Sequence, residues 1–174
     1  MAKTEGVQAS VISAKEAISA LEARNESRTN FEANSALYEI YAALKQAGID
    51  DRQSVKLEER LEEHEILGNE CSADIAGIVS SANEILELVD KEGGAHAASA
   101  VDDICDDINS ALQQVFSTRD KLTESISEFD RFWVSANAAS RTLRCRDDEF
   151  DEATADLITV RNKMIKLKRA LSKA

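Results

Sequence analysis

The stretch Lys91–Ser99, KEGGAHAAS, holds the last two glycines of a chain that contains no proline. Glycine adopts backbone conformations that other residues avoid, and paired glycines between two helical patterns indicate a turn. We therefore predict a hinge at Gly93-Gly94, where the chain turns back on itself. After the hinge, no glycine or proline interrupts the sequence as far as Ala174, which favours long helices there.

Before the hinge, apolar residues recur in steps of four and three, the spacing of one face of a helix. The first segment follows this spacing at Val7, Val11, Ala14, Ile18 and Leu21. It lapses at Asn25–Asn30, resumes from Ala33 to Ala47, and meets Gly48, a residue type that ends helices. The second segment keeps the spacing from Leu57 to Val89 and across Gly68. Two segments of similar length joined by a short turn predict an antiparallel hairpin.

After the hinge, residues seven apart form an apolar row from Val101 to Leu171, and a weaker companion row begins at Ile104. The cations of Arg141–Arg146 come before the acids of Asp147–Glu152, and the helix dipole favours cations at a helix end and acids at a helix start. Asn137 is another candidate turn, so we place a reversal within residues 134–148.

These patterns predict an all-α, antiparallel up-down bundle of four long helices, at about residues 7–47, 51–91, 95–140 and 147–172. Residues 1–174 would form one domain, with residues 1–5 flexible. The alternative is a three-helix body with a projecting C-terminal coiled-coil arm, which needs a partner chain to cover its apolar stripe.

The acidic charge balance limits the kinds of partner. The chain has 33 acids and 21 Lys and Arg, a formal net charge of −12, which repels nucleic acid and anionic lipid. Basic protein surfaces or small ligands fit better as partners, and solubility alone is the ordinary explanation of the charge. No segment resembles a membrane span or a signal peptide, and Cys71, Cys105 and Cys145 make no disulfide framework. We expect a cytoplasmic protein without membrane insertion; export without a cleaved signal is the alternative.

The sequence lacks the usual constellations of catalysis. The chain has two histidines, His64 and His96, and neither lies in the Glu-x-x-His motif of di-iron bundles. The three cysteines lack zinc-site spacing, and no phosphate-binding loop or nucleophile elbow occurs. We therefore expect no catalytic residues, no metal and no cofactor, and a protein that is not an enzyme.

A polar layer is predicted across the middle of the bundle. Folding the first hairpin about residue 49 places the lapse at Asn25–Asn30 opposite residues 68–73. Folding the chain at the glycine hinge places residue 68 opposite 118 and 119. The layer comprises Asn25, Arg28, Thr29, His64, Gly68, Thr118 and Arg119. We interpret it as a device that fixes helix register, because buried polar residues do so in coiled coils. The alternative is a ligand site in the core.

Two further features concern the surface. Six acids form a candidate docking surface for a basic partner: Asp102, Asp103, Asp106, Asp107, Asp147 and Asp148. A solvated helix face is the ordinary alternative. Three aromatic residues in FDRFW, Phe129, Phe132 and Trp133, are expected to close one end of the core, or else to anchor a partner.

These observations favour a non-enzymatic helical-bundle protein-interaction module, of the adaptor, chaperone, inhibitor or effector type, which presents acidic and helical surfaces to a protein partner. One alternative is a ligand-sensing bundle that uses the polar layer. Another is a coiled-coil self-assembly or structural component that forms homo-oligomers.

Overall fold

The computed structural model describes residues 2–29, 51–92, 94–130 and 137–173. Four helices fill these ranges: α1 (Ala2–Thr29), α2 (Asp51–Glu92), α3 (Gly94–Asp130) and α4 (Asn137–Lys173). This part of the chain contains no strand, so the predicted all-α fold is confirmed. The predicted continuation of the first helix through residues 33–47 and the predicted turn at Gly48 lie outside the described residues.

The four helices pack as a ring in which each one contacts two others. Helix α1 packs against α2 and α4, and α3 packs against the same two helices. Neighbouring helices are antiparallel, because early residues of one lie beside late residues of the next: Lys15 pairs with Asp90, Glu63 with Lys121, and Asp102 with Lys168. The arrangement is an up-down-up-down bundle. Because α4 packs against both α1 and α3, the alternative with a projecting arm is excluded.

The core consists of the apolar rows that the sequence predicts. The row that starts at Val101 is buried at Ile108, Val115 and Leu122, and on α4 the same row is buried at Leu157 and Met164. The first three helices contribute Ile18, Leu21, Ile75, Ile78 and Ile104, among others. Removing these aliphatic side chains from water supplies the main driving force for packing the helices.

The glycine hinge divides α2 from α3 as predicted. Helix α2 ends at Glu92 and the antiparallel α3 begins at Gly94, so the chain reverses between these two residues. Lys91 lies in the last turn of α2, where a cation complements the helix dipole. Gly68 lies within α2 and does not break it, because the apolar spacing on both sides keeps one face of the helix in the core.

The start of α4 differs from the predicted helix at residues 147–172. Helix α4 begins at Asn137, within the predicted range of reversal but before the acidic run that was expected to open it. Asp147 and Asp151 instead lie inside the helix and pair with Arg119 of α3. Their charges therefore stabilise a contact between α3 and α4. The prediction that acids mark the start of a helix, which rests on the helix dipole, placed the start of α4 at the wrong residue. No described helix has an apolar run long enough to cross a bilayer.

Candidate functional site

The centre of the predicted polar layer is a buried hydrogen bond between α2 and α3. The Nε2 atom of His64 lies 2.7 Å from the Oγ atom of Ser125. Only 4 % of His64 and 2 % of Ser125 is exposed. A buried imidazole and a buried hydroxyl each need a polar partner, and here each provides one to the other.

A second buried contact lies one heptad along the same interface. The Cys71 Sγ atom is 3.9 Å from the Thr118 Oγ1 atom, and that hydroxyl donates to the Gln114 carbonyl at 2.8 Å. Burial raises the pKa of the Cys71 thiol, so the thiol stays protonated and behaves as a small core residue. On the other side of α2, the Asn25 side-chain amide of α1 donates to the Ser72 carbonyl at 3.0 Å. The layer therefore connects three helices.

The predicted members of the layer have different positions. Asn25, His64 and Thr118 are buried, and Gly68 is half-buried on α2. Arg119 turns away from the layer toward the acids of α4. The side chains of Arg28 and Thr29 lie outside the described residues.

Sequence reasoning left two members, Cys71 and Ser125, out of the layer. Ser125 lies one heptad after Thr118, and His64 lies one heptad before Cys71. The antiparallel register that pairs Cys71 with Thr118 therefore also pairs His64 with Ser125. That register was the signal that could have found both residues.

The six acids of the candidate docking surface fall into two groups. Asp102 accepts from the Lys168 Nζ atom, with a distance of 2.7 Å to the Oδ2 atom, and Asp147 accepts from Arg119 at 2.8 and 3.3 Å. Hydrogen bonding to Asp147 raises the pKa of Arg119. These two acids therefore join α3 to α4. The other four are exposed and have no ion pair within the described ranges: Asp103, Asp106, Asp107 and Asp148.

The three aromatic residues of the FDRFW stretch do not add to the described site. Phe129 lies in the last turn of α3, and its side chain is outside the described part, as are Phe132 and Trp133. Their expected role at one end of the core, or as a partner anchor, stays a prediction. Across the described ranges, no group of three or more His, Cys, Asp and Glu side chains is arranged to hold a metal ion.

A surface groove of about 370 Å³ runs between α2 and α3, and we call it the α2/α3 groove. Small side chains form much of its lining, which also includes two acids, and we call the stretch from Ala73 to Ser81 its floor. Its lining is Ala73, Asp74, Gly77, Ile78 and Ser81 from α2, with Asp107, Ser110, Ala111 and Gln114 from α3. Beyond Ala73, contacts from Gln114 to Glu70 (3.1 Å) and from Lys121 to Glu63 (2.8 Å) bridge the two helices.

The acids of the groove lack a cation partner within the described part of their own chain. Asp74 and Asp107 are both exposed, and neither takes part in an ion pair among the described residues. The groove therefore offers carboxylates that an external cation can reach. Sequence reasoning identified Asp107 but did not identify the groove.

Gly77 is the unusual residue of the groove, because it lies in the interior of a long helix. A methyl group added at its Cα would meet nothing within 4 Å. The packing of the described bundle therefore does not require glycine at this position, although glycine destabilises a helix interior by about 1 kcal/mol relative to alanine. A site that another backbone approaches closely is a common reason for glycine.

We expect the substitution Gly77→Ala to raise the free energy of unfolding by about 0.5–1 kcal/mol, because helix propensity improves and no contact is lost. Urea denaturation of the two proteins measures the difference. Gly6→Ala is the matched control, since Gly6 also faces open space but lies near the start of α1. Helix ends fray, so its gain should be smaller. A loss of stability in Gly77→Ala would show that the fold itself needs this glycine.

Comparisons with protein-family models, with curated proteins and with solved structures find no match to this chain.

Proposed function

We propose that this protein is a non-enzymatic protein-interaction module whose α2/α3 groove receives a basic helix of a protein partner. The observation that carries the proposal is the open space above Gly77, in a groove whose lining includes two acids. Among the described residues, no side chain packs over Gly77, and none forms an ion pair with Asp74 or Asp107. A helix of a partner would pack over Gly77 and pair its cations with Asp74 and Asp107.

The shape of the groove favours a helix as the occupant. From Ala73 to Ser81 the floor extends about 12 Å at 1.5 Å per residue, which is a little over two helical turns. Small residues on that floor let a third helix approach closely and pack its side chains between α2 and α3. Recognition of an amphipathic helix in a groove between helices is a recurrent binding mode.

The charges of the groove favour Lys and Arg on that helix. Exposed ion pairs contribute only about 0.2–1 kcal/mol each, so packing has to supply most of the affinity. The carboxylates would instead determine which helices bind, and would accelerate encounter with basic ones. The net charge of −12 extends the same preference beyond the groove.

The polar layer supports this proposal over a ligand-sensing role. The hydroxyl of Ser125, the thiol of Cys71 and the amide of Asn25 all bond to groups on neighbouring helices. Such bonds favour one antiparallel alignment, because a shift of register would leave buried polar atoms without these partners. We propose that the layer fixes the register that forms the groove.

Titration with a synthetic peptide tests the proposed function. The probe is a helical peptide of about 18 residues with an alanine-rich face flanked by lysines, since shorter helices are marginal in water. We expect the double variant Asp74→Lys/Asp107→Lys to weaken its binding by about tenfold, because two attractions become repulsions. Fluorescence anisotropy of labelled peptide measures the affinity.

Two controls separate the groove from general charge effects. Glu16→Lys/Glu22→Lys makes the same change in net charge on exposed positions of α1, which does not line the groove, so it should bind nearly as the wild type does. Gly77→Leu fills the groove and should weaken binding, whereas Gly6→Leu should not. Unchanged affinity in both groove variants would overturn the proposed function.

A further inference from the structure

The outer face of α4 carries a basic stripe. Asn162, Lys166, Arg169 and Lys173 follow one another in steps of four, three and four, which places them on one face, and all four are exposed. In the described part of the chain, the three cations form no ion pair. From Leu157 to Lys173 the helix contains no acid. We call this face the α4 stripe.

The α4 stripe matches the α2/α3 groove in charge and length. It extends about 16 Å from Asn162 to Lys173, at 1.5 Å per residue, against about 12 Å for the groove floor. Its three cations are opposite in sign to Asp74 and Asp107, and to Asp103 one turn before Asp107. On both surfaces, these charged side chains form no ion pair with other described residues of their own chain.

One copy of the chain cannot make this contact with itself. Helix α4 packs against α1 and α3, and its apolar face is buried in the core. The stripe lies on the opposite face and points out of the bundle, away from the seam between α2 and α3. A contact between stripe and groove therefore requires two molecules.

We propose that the basic helix received by the α2/α3 groove is α4 of a second copy of this chain. The inference rests on the proposed function and names its partner. Stripe and groove are different surfaces, so the contact is heterologous. Each added copy leaves one stripe and one groove free, and such contacts build open chains or closed rings.

Salt concentration separates this contact from the general repulsion between acidic molecules. A net charge of −12 drives copies apart at long range, and salt of about 0.1 M limits that repulsion to roughly 10 Å. Charges in direct contact act within that distance. At about 1 M the screening length is roughly 3 Å, and the contact itself weakens.

Sedimentation of the full chain provides the first test. In about 0.1 M salt and at up to about 100 μM protein, we expect the weight-average mass to rise with concentration, to at least about twice the 19.1 kDa of one chain. It should return toward one chain in about 1 M salt. A mass of one chain at every concentration and in both salts would overturn the inference.

Charge reversal provides the second test. Asp74→Lys/Asp107→Lys reverses the groove, and Lys166→Glu/Arg169→Glu reverses the stripe; all four residues are exposed, so folding should persist, which circular dichroism checks. Each variant alone should sediment as one chain. An equimolar mixture of the two, and a chain with all four substitutions, should associate again because opposite charges meet again. Glu16→Lys/Glu22→Lys should associate as the wild type does.

The outcomes distinguish this inference from the proposed function. If the wild type stays monomeric yet binds the lysine peptide through the groove, the partner is a different basic protein and the inference fails alone. Association that persists in both reversed variants, or that the mixture does not restore, also overturns the inference. If the groove variants bind the lysine peptide as the wild type does, the proposed function fails as well.

Discussion

We expect Leu157→Ala to lower the free energy of unfolding by about 3 kcal/mol, within the range of about 2–5 kcal/mol typical of buried leucines. Leu157 has 0 % exposure and lies in the core cluster to which all four helices contribute. Truncation removes apolar burial and leaves a cavity that rigid helices fill only in part. Because domains of this size have a total stability of about 5–15 kcal/mol, the loss is a large fraction.

Ile66→Ala is the control for this core substitution. Ile66 is an aliphatic residue of equal size on α2, but 58 % of it is exposed. Its truncation should change stability by less than about 0.5 kcal/mol. Urea denaturation monitored by circular dichroism compares the variants. Equal losses in Leu157→Ala and Ile66→Ala would contradict the position of α4 in the bundle.

The second large effect is expected from Ser125→Ala in the polar layer. This change removes the hydroxyl that lies 2.7 Å from the His64 Nε2 atom, in a region that water does not reach. Losing the partner of a buried polar atom costs about 1–3 kcal/mol, and the small cavity adds little. The loss should appear in the same urea measurement.

Ser110→Ala is the control for the layer substitution. Ser110 is also on α3, but it is exposed at the edge of the α2/α3 groove. Alanine improves helix propensity there and removes no buried bond, so stability should hold or rise slightly. If both serines prove equally dispensable, the layer does not fix the register of α2 and α3.

The sequence predicted the buried surface well because burial follows spacing. Ile104, Ile108 and Leu122 occupy positions that a heptad pattern assigns to the core, and each is at most 1 % exposed. The glycine hinge was predictable for a similar reason, since Gly93-Gly94 lies between two long segments with helical apolar spacing. His64 was predicted to lie in the polar layer across the bundle, and it is buried.

The charge pattern predicted the start of α4 less well than the apolar spacing predicted the buried residues. The run after Arg146 was expected to start a helix, but Asp147 and Asp151 lie within α4 and bind Arg119. An acid can stabilise the start of its own helix, or it can form an ion pair with a cation on a neighbouring helix. The sequence alone does not distinguish these two roles. The choice depends on which residues of α3 face α4, and that is a property of the packed bundle.

The groove could not be predicted from the sequence for a related reason. Ala73, Gly77 and Ser81 are small residues on a polar face, and small residues become a groove floor only when a second helix lies beside them. Asp107 was identified as one acid of a docking surface, but Asp74 was not. These two residues share a groove because of the register between α2 and α3.

Amide chemical shifts measured during titration with the lysine peptide test the central claim most directly. If the groove receives a basic helix, the largest saturable shifts fall at residues 73–81 and 107–114, with little change around Asn25 and His64. Largest shifts at the polar layer or along α1, or shifts that never saturate, would contradict the account.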